Sequence, residues 1–328
     1  MDNLNIEILE ILLKNMPSYV SGSVLAKTLK MSRVSIWKRM EKLQKQGILF
    51  HAVKNRGYRI SEVPKSIHPD FLSAHIRLKK RQCPLFFYEE IDSTNLEAQR
   101  KLADGCSAPS LVIAKKQSAG RGRLGRQWAA SDEGNLYMTF ACRPNQAPER
   151  MQLFTLWGAV SICSFLNELH PGFKIKWPND IIFEGKKLSG ILTEAQIEAD
   201  QMSSLVFGLG LNVNSDSKLW PEVVRNRATC LAEVAGKTFD INSLASSIIV
   251  LIFDAYESFI KNDFKDKFHT LWKELDALFD QKVTVVQGEK KSWDGVAKGI
   301  DDTGSLVVAL SDGSVQRFQA GDVTLAKK

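Results

Sequence analysis

The chain is poor in cysteine: five in 328 residues, at positions 83, 106, 142, 163 and 230, none at CxxC spacing. An odd number of scattered thiols argues against a disulfide framework and for a reducing compartment, expected to be the cytoplasm. The five histidines never fall at HxxxH spacing, so no metal-ligating set is expected. The N-terminal MDNLNIEILE lacks the basic region and apolar core of a secretory signal. No apolar run is expected to reach membrane-spanning length; the stretch around 153–166 is too short and reads as a buried helix, so no membrane partner is expected. Internal repeats and low-complexity tracts are absent.

What is present is ordinary globular composition, 44% hydrophobic and 25% charged, in a chain long enough for two or three domains. The charge is unevenly spread. Residues 1–66 hold twelve Lys or Arg against five Asp or Glu, which accounts for the whole net charge of +7; the remainder holds 32 of each sign. A small domain carrying all the excess positive charge points to a polyanion partner, although a solvated basic surface has the same composition.

Three segments emerge. In residues 3–60, Ile6, Leu9, Leu12 and Leu13 recur at helical spacing, a second helix fits 23–29, and Ser32 can cap a third that ends at Gly47. Ile36, Met40 and Leu43 share one face of that third helix, while Arg33, Ser35, Lys38, Arg39 and Lys42 largely face away. A β-like pair follows, 48–53 and 58–60, turning at Lys54–Gly57 with Arg56 in the turn. This order predicts a winged helix-turn-helix over 1–63, with those five helix residues, Lys54 and Arg56 facing DNA; a three-helix bundle with a charged face is the plainer alternative. Residues 61–69, with two prolines, read as a linker. From 70 to 278, strands come partly in succession rather than alternating with helices, which favours an α+β domain with a mixed or antiparallel sheet. Residues 280–328 read as five short strands separated by DDTG and SDG turns, a small antiparallel barrel of SH3 type.

Four stretches carry chemistry. KKQSAGRGRLGRQW, 115–128, interleaves Gly120, Gly122 and Gly125 with Arg121, Arg123 and Arg126. Glycine lets backbone approach a ligand, and arginine brings a permanent fork-shaped charge suited to phosphate or carboxylate. The GKS or GKT ending of a Walker loop is absent. Trp128 can offer a flat face to a base; an RNA-binding tract or a flexible basic loop would use similar residues. KWPNDIIFEGKKLSGILTE, 176–194, places Asn179 and Asp180 at a strand end, and Lys187 can stabilise an α-phosphate; as a plain hairpin, its lysines would be solvated charges. IDSTNLEA, 91–98, holds Ser93, Thr94 and Asn95, which either cap a helix or satisfy a small polar ligand. FGLGLNVN, 207–214, has Gly208 and Gly210 in a strand, leaving room for close approach.

Together, STN, GRGRxGRxW, KWPND, KLxGIL and GxGxN resemble the biotin protein ligase family, in its bacterial form with a repressor domain, over essentially the whole chain. The resemblance implies a multidomain α+β protein with a class II synthetase-like central domain. It implies a biotin–[acetyl-CoA-carboxylase] ligase that uses ATP and Mg2+ to form biotinyl-5′-AMP and transfers biotin to a lysine of biotin carboxyl carrier protein. It also implies a repressor of biotin synthesis genes that binds operator DNA as a homodimer with the adenylate as corepressor. By position, Ser93, Thr94, Asn95 and Gln117 would bind the ureido group; Arg121, Gly122 and Arg123 would bind biotin and its adenylate. Trp128 would stack on adenine, and Asn179 would hold the adenylate. Lys187 would support the phosphate and touch biotin, Asp180 would accept the proton of the incoming lysine, and Gly190, Gly208 and Gly210 would line the biotin channel. Two departures stand out: Leu124 replaces a frequent arginine, and GDVTLAKK lacks an arginine after the last strand. A biotin sensor without catalysis, a lipoate ligase or octanoyltransferase, and an enzyme whose N-terminal domain binds no DNA are the rival readings.

Overall fold

The computed structural model describes residues 2–130, 133–288 and 291–325. Residues 326–328, part of the tail that lacks the arginine, lie outside the described residues. The N-terminal part is α1 (Asn3–Lys14), α2 (Gly22–Thr28), α3 (Arg33–Lys45) and a hairpin of β1 (Leu49–Val53) with β2 (Gly57–Glu62), the winged helix-turn-helix expected. Asp2, Ser21 and Ser32 cap the three helices through their side chains.

The central part runs α4 (Pro69–Leu78), β3 (Leu85–Ile91), α5 (Thr94–Ala103), β4 (Ser110–Gln117), β5 (Leu136–Cys142), α6 (Met151–Leu169), β6 (Phe173–Lys176), β7 (Asp180–Phe183), β8 (Lys186–Glu198) and β9 (Gln201–Leu211). After these come α7 (Glu222–Arg225), α8 (Leu231–Ala235), α9 (Ile241–Lys261) and α10 (Lys265–Leu275). The seven strands order as β3-β4-β5-β9-β8-β7-β6; β3 and β4 are parallel and every other pair antiparallel, which makes a mixed sheet. α6 is buried on most of its circumference between the sheet, α9 and α10. β10 (Lys282–Gln287), β11 (Lys291–Ile300), β12 (Leu306–Leu310), β13 (Val315–Phe318) and β14 (Asp322–Leu325) form an antiparallel sheet ordered β13-β12-β11-β10-β14. No pairing between its edge strands is present among the described residues, so the hydrogen-bonded barrel does not close.

Two expectations are corrected. Helix α9 is 21 residues long and apolar enough to cross a membrane by length and composition alone. Its apolar face packs on α4, α6 and β5, the position of a core helix. Residues 61–69 are not simply a linker: Pro69 occupies the first turn of α4, where its missing N–H costs nothing, and His68 caps the helix by accepting from the Phe71 amide at 3.3 Å. Apolar packing also runs across positions 63, 70 and 280. On α4, Phe71 and Ala74 join the core of the winged helix, while Leu72 and Ile76 join the core of the sheet domain. Val283, Val308 and Phe318 of the C-terminal sheet belong to the same apolar cluster as the central domain.

Because α4 is shared by two cores, Phe71→Ala should destabilise the protein by about 3–5 kcal/mol in chemical denaturation, the usual cost of truncating a buried phenylalanine. A loss under about 1 kcal/mol would contradict the shared-core reading.

Candidate functional site

The floor of the site is built from residues that lack side chains. Gly190 on β8 lies directly across from Gly210 on β9, and Leu192 lies across from Gly208. The Trp128 indole rests on the Gly190–Gly210 pair: a Cβ would stand 2.9 Å from Trp128 Cζ3 at Gly190 and 2.4 Å from Trp128 Cε2 at Gly210. A Cβ at Gly208 would stand 2.0 Å from Asn95 Oδ1. The strand glycines thus admit Trp128 and Asn95 against the sheet.

Around this floor is a cavity of about 280 Å³, and all fourteen central-domain candidates line it. One wall is the start of α5. Ser93 occupies the N-cap position without a side-chain capping bond; Gln117 at the end of β4 takes that task, its Oε1 accepting from the Thr94 amide at 2.7 Å and the Thr94 hydroxyl at 3.1 Å. Thr139 Oγ1 lies 2.9 Å from Thr94 Oγ1 and donates to Asn95 Oδ1 at 2.7 Å. Ser93, Thr94 and Asn95 are all nearly fully buried.

The Gly/Arg loop forms a second wall. It leaves β4 and returns through hydrogen bonds from Gly122 N to Arg126 O at 2.7 Å and from Trp128 N to Gly120 O at 2.9 Å. At its tip Leu124 has φ +56° and is 72% exposed, so the residue that departs from the family loop projects outward. Arg121 Nη2 pairs with Glu194 Oε1 at 2.8 Å, and Arg126 pairs with Asp322 of the C-terminal sheet. Arg123 is half-buried and has no carboxylate partner among the described residues; its nearest polar contact is Asn179 Oδ1 at 3.4 Å. Burial pulls its pKa below the ordinary arginine value, against the opposing pull of the Asp322 and Asp180 carboxylates. Arginine keeps its charge even so, and a desolvated cation of this kind is relieved by an anion.

The third wall is the β6–β7 turn. The Trp177–Pro178 peptide bond is cis, and the Asn179 amide donates to Ile191 O at 2.7 Å, locking the turn to β8. Lys187 Nζ stands 2.7 Å from Asp180 Oδ1, an ion pair without the alignment of a hydrogen bond, and 5.3 Å from the centre of the Trp128 ring. Asp322, Val323 and Thr324 of β14 close the cavity from the C-terminal side. Three contributors were not singled out in the sequence: Thr139, Glu194 and Asp322. Each is a lone polar residue on a strand and becomes visible only through pairing across the sheet or between domains. No group of three or more His, Cys, Asp or Glu is placed to hold a metal among the described residues.

On the winged helix, Arg33, Lys38, Lys54 and Arg56 are exposed. The Ser35 hydroxyl contacts the Ser32 cap at 2.9 Å, and Arg33 hydrogen-bonds Ser23. Two candidates have other surroundings. Arg39 turns inward to Asp2 at 2.6 Å and Asn5 at 2.9 Å, tying α3 to the start of α1. Lys42 is exposed and borders a polar cleft against the central domain, shared with Gln46, His68 and Lys115. Both lie on the side of α3 turned toward α1 and α4, an orientation that helical spacing alone does not reveal. Val34 and Trp37, 62% and 49% exposed, extend the free face of α3. Their exclusion from the Ile36–Met40–Leu43 stripe was a readable sign. In the hairpin, the guanidinium groups of Arg56 in the turn and Arg59 on β2 lie 4.7 and 5.2 Å from the centre of the Tyr19 ring.

Comparison with known proteins matches this geometry to two activities. The biotin/lipoate A/B protein ligase family model matches residues 88–212, an HTH domain model matches 5–59, and the biotin protein ligase C-terminal domain model matches 278–325. The chain is 29% identical to the bifunctional ligase/repressor BirA of Bacillus subtilis (strain 168), covering 94% of each. It is 30% identical to the bifunctional ligase/repressor BirA of Salmonella typhimurium, covering 93% of this chain and 92% of that one. Its fold is similar to that of biotin protein ligase from Aquifex aeolicus in complex with biotin and ATP, with a TM-score of 0.63 and 29% identity, covering 75% of this chain and 99% of that one.

The contact between Trp128 and its glycine floor gives a direct test. Gly210→Ala should cost about 1–3 kcal/mol in denaturant, the range for overpacking, and nearly nothing in a Trp128→Ala background. Equal costs in both backgrounds would show that the indole does not rest there.

Proposed function

This chain belongs to the biotin protein ligase family in its bifunctional ligase/repressor form, and from that premise we infer that it joins biotin to a lysine of an acceptor protein through biotinyl-5′-AMP and represses transcription through its winged helix. The observation that carries the reading is one cavity in which a half-buried Arg123 with no carboxylate ion pair among the described residues, a lysine beside an indole, and buried hydroxyl and amide groups all meet.

The roles follow from chemistry. Biotin is an uncharged ureido ring on an apolar body ending in a carboxylate. Ser93, Thr94, Asn95 and Gln117 give donors and acceptors for the ring at the α5 wall, while Gly190, Gly208 and Gly210, by lacking side chains, let Trp128 and Asn95 sit against the sheet beside it. The carboxylate oxygen attacks the α-phosphorus of ATP, and the bond to the β-phosphate breaks as pyrophosphate leaves. Negative charge grows on the phosphoryl oxygens in that step, and Arg123 and Lys187 meet it. Trp128 stacks on the adenine, Asn179 holds the adenylate, and the Arg121–Gly122–Arg123 segment covers the mixed anhydride against water. The neutral amine of the acceptor lysine then attacks the acyl carbon, AMP departs, and Asp180 takes the proton once Lys187 has turned to the phosphate. Magnesium would screen the charge of the triphosphate as its counter-ion, a role that would not require a cage of protein carboxylates. Biotin carboxyl carrier protein is the acceptor proposed. On the regulatory side, the adenylate is the corepressor, and an adenylate-bound homodimer places two wings on a palindromic operator in the cytoplasm.

Lys187→Ala and Arg123→Ala should each suppress biotin-dependent ATP–pyrophosphate exchange by about 10²-fold or more, as loss of a transition-state charge contact does. Wild-type exchange in both would refute the assignment. For DNA, Lys38→Ala and Lys54→Ala should each lower the slope of log affinity against log salt by about 1, independently of sequence. Unchanged slopes would remove these lysines from the phosphate-contacting surface.

A further inference from the structure

The Gly/Arg loop carries three arginines, and they are not equivalent. Arg121 is paired with Glu194 on β8 and Arg126 with Asp322 on β14, so the loop is tied at one end to the sheet and at the other to the C-terminal domain. Arg123, between them, is the one left without a carboxylate among the described residues.

Glu194 does more than hold Arg121. Its Oε1 takes the guanidinium at 2.8 Å while its Oε2 accepts from Asn95 Nδ2 at 2.9 Å. Asn95 Nδ2 also donates to Leu192 O at 3.1 Å, so both of its hydrogens are committed to β8. Its Oδ1 must then point the other way, toward Thr139 and into the space that Gly208 leaves by having no Cβ. One carboxylate therefore fixes the anchor of a loop and the orientation of an amide on α5. Two cavity-lining side chains from different elements depend on it, although it is not itself part of the lining.

Charge argues that this pairing persists with an anion bound. To meet a carboxylate or phosphate, Arg121 would have to abandon Glu194, whose side chain is only 23% exposed, leaving a partly desolvated negative charge unpaired. It would also bring the new anion close to that charge. Arg123 has no such conflict.

We propose that Glu194 is a positioning residue of the adenylation site: it seats the Gly/Arg loop through Arg121 and sets the Asn95 amide, so that Arg121 serves the reaction from its pairing with Glu194 and, of the three loop arginines, Arg123 alone meets the reacting charge. This rests on the biotin-adenylation reading of the cavity and refines the role of Arg121 within it.

The test is a double-mutant cycle on the full chain, with Arg121→Ala, Glu194→Gln and the double variant followed by biotin-dependent ATP–pyrophosphate exchange. Each single change should raise the KM for biotin about tenfold and leave kcat within about threefold, the pattern of lost ground-state organisation rather than lost transition-state contact. The double variant should be no worse than either single one to within about twofold, because both remove the same link. Multiplied effects in the double variant, or a kcat loss of about 10²-fold from Arg121→Ala with Glu194→Gln harmless, would overturn the proposal, since Arg121 would then touch the reacting charge itself. Should Glu194→Gln fail to fold, Arg121→Ala and Arg121→Lys decide: a raised biotin KM at preserved kcat, recovered by lysine, supports the proposal, and a kcat loss that lysine does not recover contradicts it. A wild-type protein without biotin-dependent exchange would overturn the adenylation reading and this refinement together, whereas normal wild-type exchange with multiplied effects would overturn the refinement alone.

Discussion

The site depends on a steric constraint: the cavity-facing positions Gly190, Gly208 and Gly210 of two adjacent antiparallel strands carry no side chain. The cross-strand pair Gly190–Gly210 receives the Trp128 indole, and Gly208 receives the Asn95 amide. Glycine weakens a strand interior because it packs nothing and is more ordered than it would be in the unfolded chain. Here the gaps are filled by groups from a distant loop and helix, so the cost to the sheet becomes the shape of the cavity. A flat aromatic on a flat floor, with Lys187 beside its ring and Asp180 beside that lysine, gives a base-stacking surface next to a point charge.

Around that floor the charges are arranged by difference. Arg121, Arg126 and Lys187 each have a carboxylate; Arg123 does not among the described residues. The paired arginines hold the loop to its neighbours, and a half-buried cation with a 3.4 Å amide contact is held ready for an anionic ligand. The C-terminal sheet takes part directly, since Asp322, Val323 and Thr324 line the cavity and Trp177 donates to Gly304 O at 3.0 Å. At the other end of the molecule, α4 inserts Phe71 into the winged-helix core and Leu72 into the core of the sheet domain. The DNA-facing and ligand-facing parts are thus joined by packed side chains of one helix.

Much of this was legible in the sequence because the relevant signals are local. Interleaved Gly and Arg, the WPND turn and paired strand glycines announce themselves within a few residues, and every candidate drawn from them falls in one cavity. What escaped was tertiary. Glu194 and Thr139 are unremarkable on their own strands and matter because β8, β9 and β5 lie side by side. Asp322 meets Arg126 across 196 residues of chain. Arg39 looked like a DNA-facing residue until Asp2 was brought beside it, and the two prolines at 64 and 69 suggested a linker although the second starts a helix. β7, four residues long and bounded by turns, was lost inside the motif that it carries.

The central claim is that this cavity makes and shelters an activated acyl phosphate. The most direct measurement is native mass spectrometry of the purified full-length protein after incubation with biotin and magnesium-ATP and removal of free ligand. The account predicts a noncovalent complex with the mass of one biotinyl-5′-AMP, dependent on both substrates. Retention of biotin or ATP alone, with no adenylate under conditions where both bind, would contradict it.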